Sequence, residues 1–374
     1  MSRQLSSVAQ RAPREWRGSS HNVDYSCLHQ LAPYIGKLKP VIARELLGQF
    51  TSSGDIVLDC FSGSGTIPLE AVMLGRRTLA FDTNPYAITL TRAKLEAPPT
   101  LEAANEQLAQ RLLDSQRRPR CDQRTIPLWV RKFFHPKTLQ NAVRFADECI
   151  EKDDPFLLAC LLSILHHQRP GFLSYPSSHL VPYLRDRKFP RVEYPEMYTE
   201  RELAPRLAAK LARTYKHGAK VNRSKVLQIA QVGVADLKLD FEVDAIVTSP
   251  PYMNALDYVR DNRLRMWFLD RSTVDYSPEP TERQMQSDAI TAAFASNALR
   301  YLRKGGHCVL VVGETVLRKR VKTHPAERML ARLTAEYPKL RVEHVIRDKI
   351  PDVRRSRRTE GATKRELVLV LKKG

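Results

Sequence analysis

The sequence lacks any unbroken apolar run of about 18 or more residues, the length that a membrane-spanning helix needs. No transmembrane helix is therefore expected in its 374 residues. The first twenty, MSRQLSSVAQRAPREWRGSS, have no apolar signal-peptide core. They are rich in Arg and Ser, carry no acid before Glu15, and read as a basic flexible arm over residues 1–24. Cysteine is sparse and scattered: Cys27, Cys60, Cys121, Cys149, Cys160 and Cys308 include no Cys-x-x-Cys pair. That argues against a zinc site and a disulfide framework, and fits a reducing, cytoplasmic setting. His166, His167 and His179 lack partners at ligand spacing, so no metal is expected. Negative charge is also short: 41 Asp+Glu stand against 61 Lys+Arg, a formal net charge of +20. Such an excess favours a polyanionic partner, because releasing counterions condensed on phosphates contributes much of the affinity. Nucleic acid is the partner this balance favours.

What is present begins with Asp55-Ile56-Val57-Leu58-Asp59-Cys60-Phe61, a short buried strand with an acid near its end. Ser62-Gly63-Ser64-Gly65-Thr66 follows as a tight glycine-rich turn. Residues 67–75, IPLEAVMLG, read as a helix, with Pro68 in its first turn and Gly75 as its C-terminal cap. Arg77-Thr78-Leu79-Ala80-Phe81-Asp82 is a second strand ending in a second acid. Strand, turn, helix and strand occupy about 30 residues, the size of one βαβ unit.

The glycines let the backbone approach a ligand, and the helix amino terminus offers unpaired N–H groups. An acid ending the second strand can accept hydrogen bonds from ribose hydroxyls. This describes a nucleoside-cofactor site. The third glycine of the dinucleotide fingerprint is absent, and so is the Gly-Lys-Ser/Thr of a phosphate-binding loop. Asp59 would repel a pyrophosphate but suit a ligand that carries an ammonium and a sulfonium, such as S-adenosylmethionine.

A second motif lies at Ser249-Pro250-Pro251-Tyr252, after the apolar run Ala245-Ile246-Val247. Two prolines cannot donate to a ladder, so the strand that begins at Asp244 must stop there. A rigid turn at the carboxyl end of a buried strand is where open α/β folds hold their ligands.

Together, LDCFSGSGTIPLEAVMLGRRTLAFDTNP and TSPPY resemble the cofactor and catalytic motifs of S-adenosylmethionine-dependent amino-methyltransferases acting on DNA. The segment PYIGKLKP, with Tyr34 and Lys37, is similar to the family motif that closes over the cofactor's methionine end. The resemblance covers roughly half the chain and places the cofactor motif before the catalytic one. It implies a Rossmann-like class I methyltransferase fold: a mostly parallel seven-stranded sheet with one antiparallel edge strand, plus a mainly helical insertion. It implies that the cofactor is held by Tyr34, Lys37, Asp59, Cys60, Phe61, Ser62, Gly63, Ser64, Gly65, Thr66, Asp82, Thr83, Asn84, Asp236 and Leu237. Asp236 would contact the adenine amino group with Leu237 beside the ring; a turn or helix cap is the plainer role for Asp236. Catalysis would rest on Ser249, Pro250, Pro251 and Tyr252, with Tyr252 stacking on a flipped base of duplex DNA. Ser-Pro-Pro-Tyr is commoner among N4-cytosine than N6-adenine enzymes, so cytosine is favoured over adenine. A restriction or defence partner protein is the implied setting. An RNA amino-methyltransferase, or a nucleic-acid-binding module without activity, would share much of the charge.

The catalytic domain is expected over 25–96 and 226–374. Strands are read near 226–229, at 305–312, and as a closing pair at 342–346 and 366–371, close enough for an antiparallel hairpin. Residues 97–225 form the insertion, with helical apolar spacing over 101–113 and 155–166 and an aromatic-basic stretch at 126–134. It is a candidate target-recognition subdomain; a packing appendage is the alternative. Arg260, Arg263 and Arg265 follow the catalytic motif, and Arg354, Arg355, Arg357 and Arg358 form a basic loop between the last two strands. Both stretches are candidate phosphate contacts, which position nucleic acid without reading its sequence.

Overall fold

The computed structural model describes residues 10–17, 25–166, 172–175, 189–218, 220–251, 262–271, 280–315, 325–349 and 363–374. Eight strands make one sheet: β1 (Gln10–Arg11), β2 (Ile56–Asp59), β3 (Arg77–Phe81), β4 (Val226–Ala230), β5 (Val243–Thr248), β6 (Leu302–Thr315), β7 (Leu340–Lys349) and β8 (Thr363–Lys373). Their order is β1-β7-β8-β6-β5-β2-β3-β4. All neighbouring pairs are parallel except those that β8 makes with β6 and β7. This is a doubly wound, Rossmann-like arrangement, a mostly parallel sheet flanked by helices. Two details differ from expectation. The reversed strand is not at the edge: β7 and β8 form a hairpin, with Ile346 opposite Val368, and β8 inserts between β7 and β6. The eighth strand, β1, extends the sheet beyond β7.

The outer strand belongs to the stretch expected as a flexible arm. Residues 10–17 are instead docked. Ala12 N donates to Arg347 O at 3.0 Å, and Trp16 is fully buried, its indole N–H donating to Glu45. An indole covers a large apolar area, and burial supplies the driving force that the arm's charge does not reveal.

Alternation along the strands divides the core. Val57, Ala245, Val247, Val309, Val311, Val368 and Val370 face α1 (Pro40–Phe50), Trp16 and part of α2 (Thr66–Met73). Leu58, Leu79, Phe81, Ile246 and Leu310 face the other way, among residues 294–302 and the helix Pro325–Glu336. A third cluster joins α3 (Pro85–Leu95) to helices of the 97–225 segment, α4 (Leu101–Arg117), α5 (Pro136–Glu151), α6 (Pro155–Ile164) and α7 (Leu203–Thr214). It also takes in Leu264, Trp267 and Phe268 of α8 (Arg263–Asp270). The segment therefore shares a continuous core with the helices beside the sheet.

Local chemistry explains the ends that matter. Gly65 caps α2 at φ 71°, a left-handed conformation, and a Cβ there would fall 2.8 Å from Thr91 Cα. Asn84 caps α3, its side chain accepting from Tyr86 N at 2.9 Å. Asp244 accepts from Ile56 N at 2.8 Å and from Arg303 Nε at 2.6 Å, fixing β5 beside β2 where its register with β6 shifts. No helix among the described residues is long and apolar enough to cross a membrane.

Candidate active site

A cavity of about 610 Å³ opens at the carboxyl ends of β2, β3 and β5. Asp59, Cys60, Phe61, Ser62, Gly63, Ser64 and Thr66 line it from the first turn, Asp82, Thr83 and Asn84 from the second, and Tyr34 and Lys37 from the segment before α1. Asp236, Ser249 and Pro251 also line it. Residues some 200 positions apart thus converge on one space.

Asp59 is buried at the end of β2. Its Oδ1 accepts from Thr248 Oγ1 at 2.6 Å and from Phe61 N at 3.2 Å. Burial outweighs these bonds and pushes its carboxyl up to about 7. Asp82 is half-buried and organises the loop: Oδ2 accepts from Gly63 N at 2.9 Å and Oδ1 from Asn84 N at 2.9 Å. Burial raises its carboxyl as well, against the pull of these backbone bonds. A carboxylate has about four acceptor sites, so Asp82 keeps room for another donor beside these backbone bonds.

The glycine turn is held from behind. Lys94, itself buried, donates to Ser64 O, and Thr91 Oγ1 donates to Ser62 Oγ at 3.4 Å. Burial pulls the Lys94 ammonium well below its usual range, with Lys37 nearby adding to the effect. Tyr34 faces the turn: a Cβ on Gly63 would lie 3.5 Å from its ring. Lys37 Nζ donates to His29 O at 3.0 Å.

At the end of β5, Ser249 Oγ donates to Val311 O at 3.1 Å. A hydroxyl has one proton; directing it at a backbone carbonyl presents its oxygen as an acceptor. Pro250 is buried beside it and does not line the cavity, while Pro251 does.

Other expected residues are placed differently. Gly65 serves helix packing rather than the cavity wall. Leu237 is buried in the sheet core with Val234 and Phe294, not open to the cavity. Arg263 stacks 4.2 Å over the Trp129 ring, and Arg265 Nε donates to Leu162 O at 3.2 Å. Both side chains fasten α8 to the 97–225 helices, a use that charge counting does not reveal. Tyr252, Arg260, Arg354, Arg355, Arg357 and Arg358 lie outside the described residues.

The structure adds wall residues that sequence reading missed. Met266 comes from α8, and Ala289, Ile290 and Ala293 from α9 (Pro280–Ala293). Isolated small and aliphatic residues carry no motif, so nothing in the sequence singled them out. A π-helical turn, Phe294–Ala298, follows α9 directly, and Phe294 stacks on the wall residue Phe61 with ring centroids 6.2 Å apart. Such turns commonly accompany functional sites.

Comparison with known proteins points to the same region. A family model described as DNA methylase, N6_N4_Mtase, matches residues 21–93. The type II methyltransferase M.MjaII of Methanocaldococcus jannaschii is 30% identical over 69 residues, 18% of this chain and 13% of that protein. Among solved structures, TrmN from Thermus thermophilus aligns over 91% of this chain and 50% of its own, at 14% identity and a TM-score of 0.35. The rRNA methyltransferase aviRa from Streptomyces viridochromogenes aligns over 97% of this chain and 94% of its own, at 13% identity and a TM-score of 0.34. This chain therefore spans only a small part of the curated relative and half of the Thermus protein.

Proposed function

We propose that the protein transfers a methyl group from S-adenosylmethionine to the exocyclic amino group of a base in DNA, with N4 of cytosine favoured over N6 of adenine. The observation that carries this reading is the convergence of Asp59, Asp82 and Ser249 on one cavity. The match of residues 21–93 to a DNA methylase model supports it.

The donor set fits the cofactor. A buried acid at Asp59 suits a cationic amino-acid end, and the acceptor sites left on Asp82 suit ribose hydroxyls. Asp236 is exposed at the rim, its backbone N–H donating to Gly233 O at 3.0 Å. That leaves its carboxylate for an exocyclic amino group. When bound, S-adenosylmethionine supplies an electrophilic sulfonium methyl.

The chain's own residues act on the target. An exocyclic amino nitrogen is a poor nucleophile because its lone pair is delocalised into the ring. Ser249 Oγ, with its proton directed at Val311 O, accepts one N–H bond. By the family resemblance, the Pro250 carbonyl, which lies outside the cavity wall, accepts the other. Two acceptors set out of the ring plane draw the nitrogen toward a tetrahedral shape and localise its lone pair for attack. Positioning and fixed dipoles supply the acceleration. Tyr252 stacks on the flipped base. The net positive charge favours the duplex backbone, and the 97–225 segment is the target-recognition part. A restriction or defence partner in the cytoplasm is the setting this activity fits.

The deciding experiment is mass spectrometry of nucleosides released from mixed-sequence duplex DNA after incubation with protein and S-adenosylmethionine. N4-methylcytosine is expected. N6-methyladenine would keep the mechanism and change the base. No modified deoxynucleoside, beside a methylated base in RNA treated in parallel, would overturn the DNA reading.

A further inference from the structure

Glu70 lies on α2, within two turns of the glycine loop, and none of its surface reaches solvent. Each carboxylate oxygen is engaged by a different part of the chain. His29 Nε2 meets Oε1 at 2.6 Å, from the turn Cys27–Gln30, in which Leu28 and His29 are buried. Arg44 Nε donates to Oε2 at 2.6 Å, from α1, while its guanidinium lies 4.3 Å over the Tyr25 ring. A buried ion pair is a poor source of stability, because desolvation offsets most of its attraction. Apolar residues of the same volume would fill this site at less cost. What the charged group adds is geometry: three segments are held in one relation.

Two of those segments wall the cavity. The residues after His29 carry Tyr34 and Lys37, and α2 grows directly from the glycine loop. Tyr34 lies against that loop at Gly63. Tyr86 OH donates to Pro33 O at 2.9 Å, and Lys210 Nζ to Gln30 O at 3.1 Å, so other bonds fix this segment to α3 and α7. Glu70 adds a hydrogen-bonded tie to the helix of the loop itself, which shares an apolar cluster with Leu28 and Leu31 through Leu69 and Val72.

We propose that Glu70 is a positioning residue that, through His29 and Arg44, sets the gap between the Tyr34–Lys37 segment and the glycine loop and thereby governs cofactor affinity. This rests on the cofactor reading above. His29 is suited to the task as a neutral ring. Burial pushes it down to about 4, so near neutral pH the ring is neutral, and its contact with a carboxylate oxygen, an acceptor, selects the tautomer that carries the proton on Nε2. Its Nδ1 is then a bare lone pair, and it has no hydrogen-bond partner among the described residues. The carboxylate charge is balanced by Arg44, and His29 supplies direction.

The test is calorimetric titration with S-adenosylmethionine, with steady-state kinetics on DNA, for the native chain, Glu70→Gln, His29→Leu and His29→Gln. Glu70→Gln and His29→Leu should weaken cofactor binding about tenfold or more, since sub-ångström misplacement is felt strongly in such sites. Turnover at saturating cofactor should stay within about twofold, the mark of lost binding rather than lost chemistry. His29→Gln, whose amide N–H can still reach Glu70, should retain most of the affinity. Native-like affinity in both Glu70→Gln and His29→Leu, with only a lowered Tm, would overturn the inference and leave the cofactor reading intact. A native chain that binds no S-adenosylmethionine would overturn both. If Glu70→Gln does not fold, the contrast between His29→Leu and His29→Gln decides.

Discussion

Thr248 Oγ1 donates to Asp59 Oδ1 at 2.6 Å, joining the last residue of β5 to the last residue of β2. Ser249 follows Thr248 directly, so one hydroxyl bonds the acid beside the glycine turn to the strand that delivers Ser249 and its prolines. Thr248→Val keeps the shape and removes the bond. It should cost about 1–3 kcal/mol of stability, because the buried acceptor loses a partner. It should also move Asp59 further up, since this bond is what most lowers its carboxyl. Urea unfolding and a pH series of cofactor titrations would check the two effects.

Burial places the Asp59 carboxyl at about 7, and that predicts a pH dependence in two directions. Its charge attracts a cationic ligand, so cofactor affinity should fall as pH drops through about 7, approaching tenfold per pH unit on the acid side if the charge is essential. Without cofactor the sign reverses. The folded chain keeps a proton that the unfolded chain releases near its ordinary carboxylate value, so this contribution is fully present below about pH 4 and is lost as pH rises through about 7. Asp59→Asn should flatten both profiles. Calorimetry and denaturant melts between about pH 5 and 8 would read them.

If the proposed mechanism holds, Ser249→Ala removes the acceptor for the target amino group but leaves the glycine turn intact. Methyl transfer should fall by about 100-fold or more, as when a preorganised polar group is removed from a transition state. The cofactor Kd should stay nearly constant. Turnover that survived the change would refute the amino-group mechanism.

Gly65→Ala would place a Cβ 2.8 Å from the Thr91 backbone at a residue with φ 71°. Left-handed strain and a backbone clash act together, so a loss of about 1–3 kcal/mol is expected. The displaced turn should also bind cofactor more weakly, which a thermal-shift titration would show.

Arg263→Ala separates a structural arginine from the candidate phosphate contacts. Its guanidinium is stacked on Trp129, so removal should cost about 0.5–2 kcal/mol of stability. The salt dependence of DNA binding should hardly change. Neutralising Arg354, Arg355, Arg357 and Arg358 should instead lower that slope by about one unit for each phosphate no longer neutralised.

The parts of this site that were readable from sequence are those where chemistry demands a residue type at a fixed spacing. Gly63 and Gly65 adopt φ of 51° and 71°, which only glycine adopts cheaply. Asp59 ends β2 and Asp82 follows its parallel neighbour β3, and a βαβ unit brings such ends together wherever it occurs. Ser249 is marked by its prolines. Ala289, Ile290 and Ala293 could not be read in this way, because they reach the cavity through the placement of α9, which depends on packing across the whole sheet. Trp16 was hidden for a similar reason: its neighbours are polar, and its burial is decided by Glu45 and a strand edge more than 300 residues away in sequence. Arg263 shows the limit of charge counting, since a guanidinium stacks on an indole as readily as it meets a phosphate.

The docking of residues 10–17 has a practical corollary for handling the protein. A chain begun after Arg17 would leave the outer backbone of β7 with unsatisfied donors and acceptors, and a hole against α1 where an indole belongs. Exposed strand edges recruit other strands. A trimmed version made to ease crystallisation would therefore invite self-association through that edge, and tags are better placed ahead of Gln10 than in exchange for residues 10–17.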